Sequence, residues 1–374
     1  MRQTHVARHC GSMHLSIKAE GTTLTAQQAK ILDDEFFLSD PFSHFTSRIA
    51  MLLETNHSDY QATPDKAGEF FDALGLDNAE SVLGFNKERR SVQVAIDALS
   101  LRHQVAEALT RFIYARVAAV PRPGDARSTW LAIADSPMQI KEVIAANKAA
   151  IDADPTRFLR LLFTPGTVVD AQVAATADTA MAWVNHAAWL LTDVELPINA
   201  AHNKIKHGLA TSARGDVRIE LVTTRPNPDG TIPISAFGEG KSLPLFDRTM
   251  LTFLSRPPKD LRQGLEAVSL RVDVPVVLAE TWMMTNVYAT MVHNAARDHY
   301  GDSLPDGVPA CPALVVGRLP EHVIGDRPLG YRSAVTMPPD GTSSPRPSGV
   351  AFFRGFWPMT VDFESGSEGV VIEG

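Results

Sequence analysis

A chain of 374 residues with 44% apolar side chains is long enough for one large domain or two ordinary ones, and it can bury a real core. A formal charge of −8 and a pI near 5.8 exclude a broad basic face of the kind that coats nucleic acid, though not a local basic patch. Two cysteines, Cys10 and Cys311, exclude a disulfide framework or a cysteine-based zinc cluster and fit a reducing cytoplasm.

Residues 1–23 read as a flexible lead. His5, His9, Cys10 and His14 sit close together there, but short His-rich tracts are only compositional hints of metal binding. An extension before a true start at Met13 accounts for them as well. The stretch MRQTHVARHCGSMHLSIK has no apolar run, so no secretory signal is expected. The longest apolar runs, such as VPVVLA, fall far short of the roughly 20 residues a bilayer requires. The expectation is a cytoplasmic chain without a membrane segment. Arg outnumbers Lys and Ala is abundant, which reads as the codon usage of a GC-rich bacterial genome.

Helical period begins with TLTAQQAKILDDEFF and continues through DPFSHFTSRIAMLLE. A third helix is expected over TPDKAGEFFDALG, with Thr63 as N-cap and Gly75 as stop. The longest uninterrupted pattern runs from Glu88 to Val120 without Gly or Pro. Val92, Ile96, Leu99, Ala106, Leu109, Ile113 and Val117 form its stripe, and His103 falls on that stripe with Glu107 one turn later. The pair admits a functional reading, but a lone His on an apolar face is more often structural.

PRPGD, Pro121 to Asp125, breaks the pattern. Three helical stretches come next: STWLAIADSPMQIKEVIAANKAAI, interrupted at Pro137, then PTRFLRLLF, then AQVAATADTAMAWVNHAAWLLTDVE. Pro197 restarts the chain as PINAAHNKIKHG, a short helix with Gly208 at its end.

Beyond Gly208, DVRIELVTT and GTIPISAF alternate as strands and are expected to pair as a hairpin across RPNPDG. RTMLTFLS and EAVSLRVDV fit strands or short helices. A long helix resumes at PVVLAETWMMTNVYATMVHNAARDHY, where Met284, Tyr288, Met291 and Ala295 share a face that reads as core. The segment 301–349 reads as mostly loop, and VAFFRGFWPMTVDF as a strand that docks back on the body. There is no internal repeat, Walker loop, GxGxxG, HExxH or GxSxG. The expected fold is mainly α: a helical bundle over 24–300 with a β insertion at about 211–274, and a Pro/Gly-rich C-terminal extension over 301–374.

HNKIKHG, His202 to Gly208, is the segment that carries chemistry. On a helix His202 and His207 point roughly 140° apart, which is poor for a shared metal. Asn203 and His207 share a face, as do His202 and Lys206. His186 and Asp193 on the preceding helix are the remaining ligand types nearby, but no pair has a strong spacing, and no metal or cofactor is expected. Phosphate chemistry fits better. Histidine titrates near pH 6.5, and Lys204, Lys206, Arg214, Arg218 and Arg225 face only Asp216 and Glu220. A plain structural reading also holds, since lysines are favourable at a helix C-terminus.

HNKIKHG resembles the signature of HEPN domains, small α-helical bundles that include metal-independent ribonucleases of toxin–antitoxin, abortive-infection and CRISPR systems. Their motif is Arg, a polar residue, about three variable positions, then His, often followed by Gly. The resemblance assigns the catalytic His to His207, the polar position to Asn203 and the trailing Gly to Gly208. His202 stands where the family has Arg, and a mostly neutral imidazole cannot supply the guanidinium fork that grips phosphate. Three functions are open to such a chain. One is a HEPN-like binding or regulatory module in bacterial stress or phage defence. Another is a ribonuclease with His207 as general acid/base, Lys204 or Lys206 steadying the phosphate and Asn203 orienting the site. The last is a scaffold without catalysis. The partners implied are RNA or another phosphate-bearing ligand, and a second copy of the chain.

Overall fold

The computed structural model describes residues 21–57, 71–72, 89–168, 170–194, 196–208, 210–222, 232–233, 240–256, 264–301, 303–310, 314, 317–338, 340–341, 359–361 and 369–372. The molecule is mainly α-helical, with small antiparallel sheets. None of the described helices is long and apolar enough to cross a membrane. The histidine-bearing lead, Cys311, Arg225 and the helix expected over TPDKAGEFFDALG lie outside the described residues, except that Phe71 and Asp72 are helical.

Helix α1 (Ala26–Phe37) starts on a reciprocal cap between Thr25 and Gln28, and α2 (Pro41–His57) comes after a short turn. Helix α3 (Arg90–Ile113) is the long uninterrupted pattern. Its buried face is wider than the sequence stripe, taking in Val94, Ala95, Ala98, Leu101, Val105 and Phe112, because helices pack on it from several sides. The ladder then loosens into a π turn, Tyr114–Ala118, in which the Ala119 amide donates to the Tyr114 carbonyl at 2.8 Å. Arg157 donates to the Val117 carbonyl in that turn, also at 2.8 Å.

Pro137 falls in the break between α4 (Thr129–Ala134) and α5 (Ile140–Ala153), where the interruption was expected. Asp33 of α1 accepts from the Ser128 hydroxyl and from the Thr129 and Trp130 amides, so it ties the start of α4 to α1. Helices α6 (Thr156–Leu162), α7 (Ala171–Thr192) and α8 (Ile198–Lys206) continue the chain. Asp170 caps α7 through the Val173 amide at 2.8 Å.

The strands come next: β1 (Ser212–Arg214), β2 (Ile219–Val222), β3 (Ile232–Pro233), β4 (Ser242–Phe246), β5 (Thr249–Ser255) and β6 (Glu266–Val272). RTMLTFLS and EAVSLRVDV are both strands, joined antiparallel as β5 and β6 from Thr249↔Val272 to Ser255↔Glu266. Leu251 and Phe253 on β5 and Val268, Leu270 and Val272 on β6 alternate into the same core, so one face of this sheet packs on the helices.

Helix α9 (Val274–Tyr300) carries Pro275 in its first turn and stops at Gly301, whose φ is +77°. It is buried along nearly its whole length and packs against α2, α3, α6 and α7. Met284, Tyr288, Met291 and Ala295 lie in the core as expected. Helix α10 (Pro320–Ile324) and strands β7 (Gly330–Ala334), β8 (Met359–Val361) and β9 (Gly369–Ile372) complete the chain.

Two pairings differ from expectation. Among the described residues β2 and β3 are not paired with each other: β2 pairs with β4, and β3 pairs with β9 in a sheet ordered β3-β9-β8. RPNPDG, with its two prolines, is not the short Asn-Gly or Asp-Gly loop that fixes a tight hairpin. Pro233 lacks an amide hydrogen and sits on the edge strand of its sheet, where that donor is dispensable. The stretch 301–349, read as mostly loop, also supplies a strand to the main sheet. β7 pairs with β6 from Glu266↔Ala334 to Leu270↔Gly330, giving the order β1-β5-β6-β7.

Candidate functional site

The end of helix α8 presents part of HNKIKHG to solvent. Ile198 and Ala201 are buried and Ile205 partly so, which sets one apolar face toward α3, α7 and β5. The same spacing turns Asn203, Lys204, Lys206 and His207 outward, and all four are exposed. His207 ends the helix, its amide donating to the Asn203 carbonyl at 3.0 Å, and the Ala210 amide returns to the Lys204 carbonyl at 3.0 Å. Gly208 between them has φ +102° with open space where a Cβ would stand, so the backbone angle and not crowding requires glycine.

Among the described residues, the side chains of Asn203, Lys204, Lys206 and His207 make no hydrogen bond or ion pair. The acids nearby in sequence are already engaged. Asp216 is held by both Arg214 Nε at 2.9 Å and Nη2 at 2.7 Å, and Glu220 accepts from the Ser242 hydroxyl at 2.6 Å. Arg218 is exposed. The end of α8 is therefore a small cationic turn whose lysines have no local counter-charge among the described residues.

His202 does not join that turn. It is half-buried, and its ring stacks on His103 of α3, with centroids 5.1 Å apart and planes 10° from parallel. Burial lowers its pKa, Glu107 opposes that, and Lys206 adds to it, leaving the ring less basic than a free imidazole. His103 is only 1% exposed and is pushed well below the ordinary value, first by burial and then by the charges of Arg102 and His202. Its Nδ1 faces the Leu99 carbonyl at 3.2 Å. The Leu190 carbonyl lies near enough to favour its protonated form, but Nε2 forms no hydrogen bond. Glu107 pairs with Arg111 at 2.8 Å and does not pair with His103, so His103 is a core histidine.

A buried charge cluster escaped the sequence reading. Glu280 of α9, 2% exposed, receives Arg102 Nη1 of α3 at 3.1 Å on both carboxylate oxygens. His186 Nε2 of α7 reaches Glu280 Oε2 at 2.7 Å. Burial pushes the Glu280 carboxyl up, but Arg102 and the His186 hydrogen bond outweigh it and hold the group below its ordinary range. Trp183 meets the His186 ring edge-on and Trp189 stacks on it. The only local signals were a lone Arg in ALSLRHQVA and a lone Glu in VVLAETWMM. The cluster cross-links three helices and does not line either of two cavities in the described residues.

Those cavities are also remote from the motif. One, of about 130 Å³, is lined by residues that include Tyr114, Arg122, Arg127, Leu131 and Asp135. The other, far smaller, lies by Phe37, Phe42, Val292 and His293. As for metal ligands, His186 is turned to Glu280, and Asp193 accepts from the Leu196 amide at 3.0 Å. Among the described residues, no three His, Cys, Asp or Glu side chains gather in a way that would hold a metal ion. Comparison of the chain with protein-family models, curated proteins and solved structures finds no match.

Proposed function

We propose that this chain is a HEPN-like binding or regulatory module with an altered ribonuclease motif, in which the exposed end of α8 contacts a phosphate-bearing ligand, RNA being the class to test first. The observation that carries this reading is the split within the motif. Asn203, Lys204, Lys206 and His207 face solvent without partners among the described residues, while His202, at the family's Arg position, packs inward on His103. A guanidinium there would offer a fixed fork for phosphate oxygens, and an inward imidazole of lowered basicity offers neither charge nor reach. What remains is two point charges and a titratable ring, suited to contact more than to turnover. The carbonyl end of α8 carries partial negative charge, which disfavours phosphate, so the lysines must supply the attraction. In this reading two copies of the chain set their α8 ends along one groove.

The test is fluorescence anisotropy with labelled single-stranded RNA in EDTA at several salt concentrations. Binding should weaken with salt, with a slope of about 0.7 per phosphate contact on single strands. The variant Lys204→Ala/Lys206→Ala should lower that slope by about 1.4, and the RNA should stay intact. RNA cleavage by the parent that His207→Ala abolishes would replace this reading with the enzyme, with His207 as general acid/base. Absence of both binding and cleavage would leave the scaffold.

A further inference from the structure

We propose that the stacked rings of His103 and His202 form an acid-sensitive latch that holds α8, and with it the turn from Asn203 to Gly208, against α3. The two imidazoles come from different helices and meet face to face at 5.1 Å, one of them sealed in the core. His103 Nε2 and His202 Nδ1 are both buried, and neither has a hydrogen-bond partner. A proton added to either would bring a charge into a site where those buried nitrogens make no hydrogen bond.

The charged groups around the pair reinforce this. On α3, Arg102 stands next in sequence to His103 and disfavours a second cation, while Glu280 of α9 and His186 of α7 are occupied with Arg102 and with each other. Lys206 on α8 disfavours charge on His202. Glu107 favours it, but that carboxylate is tied to Arg111. From α7 the Leu190 carbonyl favours a charged His103, a smaller effect than burial. β5 brings no ionisable residue, and Arg214 of β1 is exposed and bound to Asp216. The rest of the attachment is slight: α8 has nine residues, no side-chain N-cap bond, and only Ile198 and Ala201 fully buried.

Linkage sets the sign. Both rings take a proton less readily when docked than when free. Docking is therefore at full strength above the free imidazole value of 6.5 and weakens as pH falls below it. Each histidine raises the undocked fraction about tenfold per pH unit until the docked ring itself protonates, which happens first at half-buried His202. Glu280 is held below its ordinary value of 4.5, so between these two values its carboxylate keeps its charge.

Amide hydrogen exchange by mass spectrometry on the full chain, without nucleic acid, tests this apart from any ligand reading. After correction for intrinsic rates, protection of residues 198–208 should fall about tenfold or more between pH about 7.5 and about 5.5, while α9 keeps its protection. His202→Phe keeps the stack and removes that ring's share of the proton uptake, so the loss at the lower pH should be several-fold smaller, the remainder coming from His103. His202→Gln, equally unable to gain charge, should do the same if Phe disturbs the packing. Equal protection of 198–208 at both pH values overturns the latch, as does a loss that both variants retain undiminished, or one that α3 and α9 share.

Discussion

Glu280 is the residue on which the interior depends most. Its carboxylate is the shared acceptor for Arg102 and His186, and all three residues are buried. Glu280→Ala leaves a buried guanidinium without its partner, a change expected to cost roughly 3–5 kcal/mol, read as a lowered urea midpoint. Replacing both ends together, as Arg102→Met with Glu280→Leu, should recover most of that loss, because removing both charges also removes the need to desolvate them. The pH dependence has a definite sign: the Glu280 contribution is intact above the ordinary carboxylate value of 4.5 and is lost as pH falls through the lower value the folded protein imposes. The sequence showed each member of this cluster only as a lone charge in an apolar run, and Arg102 and Glu280 are 178 positions apart. No local spacing says that they meet. The inward turn of His202 was closer to legible, because Ile198, Ala201 and Ile205 already define a face whose flank it occupies.

Among the elements, α8 is short, and its end depends on one glycine. Gly208→Ala forces a side chain into a left-handed backbone with no compensating contact, and should destabilise by about 1 kcal/mol or somewhat more, measured by thermal or urea unfolding. At the start of α4, Asp33→Ala removes three hydrogen bonds and should cost about 1–3 kcal/mol in the same assay. Helices were well read because their signals are local: the Thr25 cap, the break at Pro137 and the period of α3 all lie within a few residues of the structure they determine. Strands are less legible: DVRIELVTT and GTIPISAF read as strands, RTMLTFLS and EAVSLRVDV only as strands or short helices, and GYRSA lies in a stretch that reads as loop. β2 finds β4 and β3 finds β9, and those choices are fixed by residues that sequence alternation does not connect. Of the expected site, the exposed helix end was visible from Gly208 and the two lysines, whereas its position away from both cavities depended on tertiary packing.

Across the whole molecule, the late strand β7 completes the sheet begun by β1, β5 and β6. A chain stopped at Gly325 would leave the backbone edge of β6 open beside Val268 and Leu270. Such an edge is expected to associate, so size-exclusion chromatography should show aggregates or higher oligomers at concentrations where the full chain gives one species. The composition of the C-terminal region concealed this strand, because GYRSA is brief and lies among prolines and glycines that read as loop.

The π turn at Tyr114–Ala118 has a consequence for how this chain tolerates change in length. It is one widened coil that takes up a spare residue between α3 and the Pro121 break. Removing one of those five residues would let the ladder close as an ordinary α-helix, and because the widened coil already absorbs the extra residue, the chain beyond it would keep its direction. The irregular turn is thus the place where a single-codon deletion should disturb the helices around it less than the same deletion within α3.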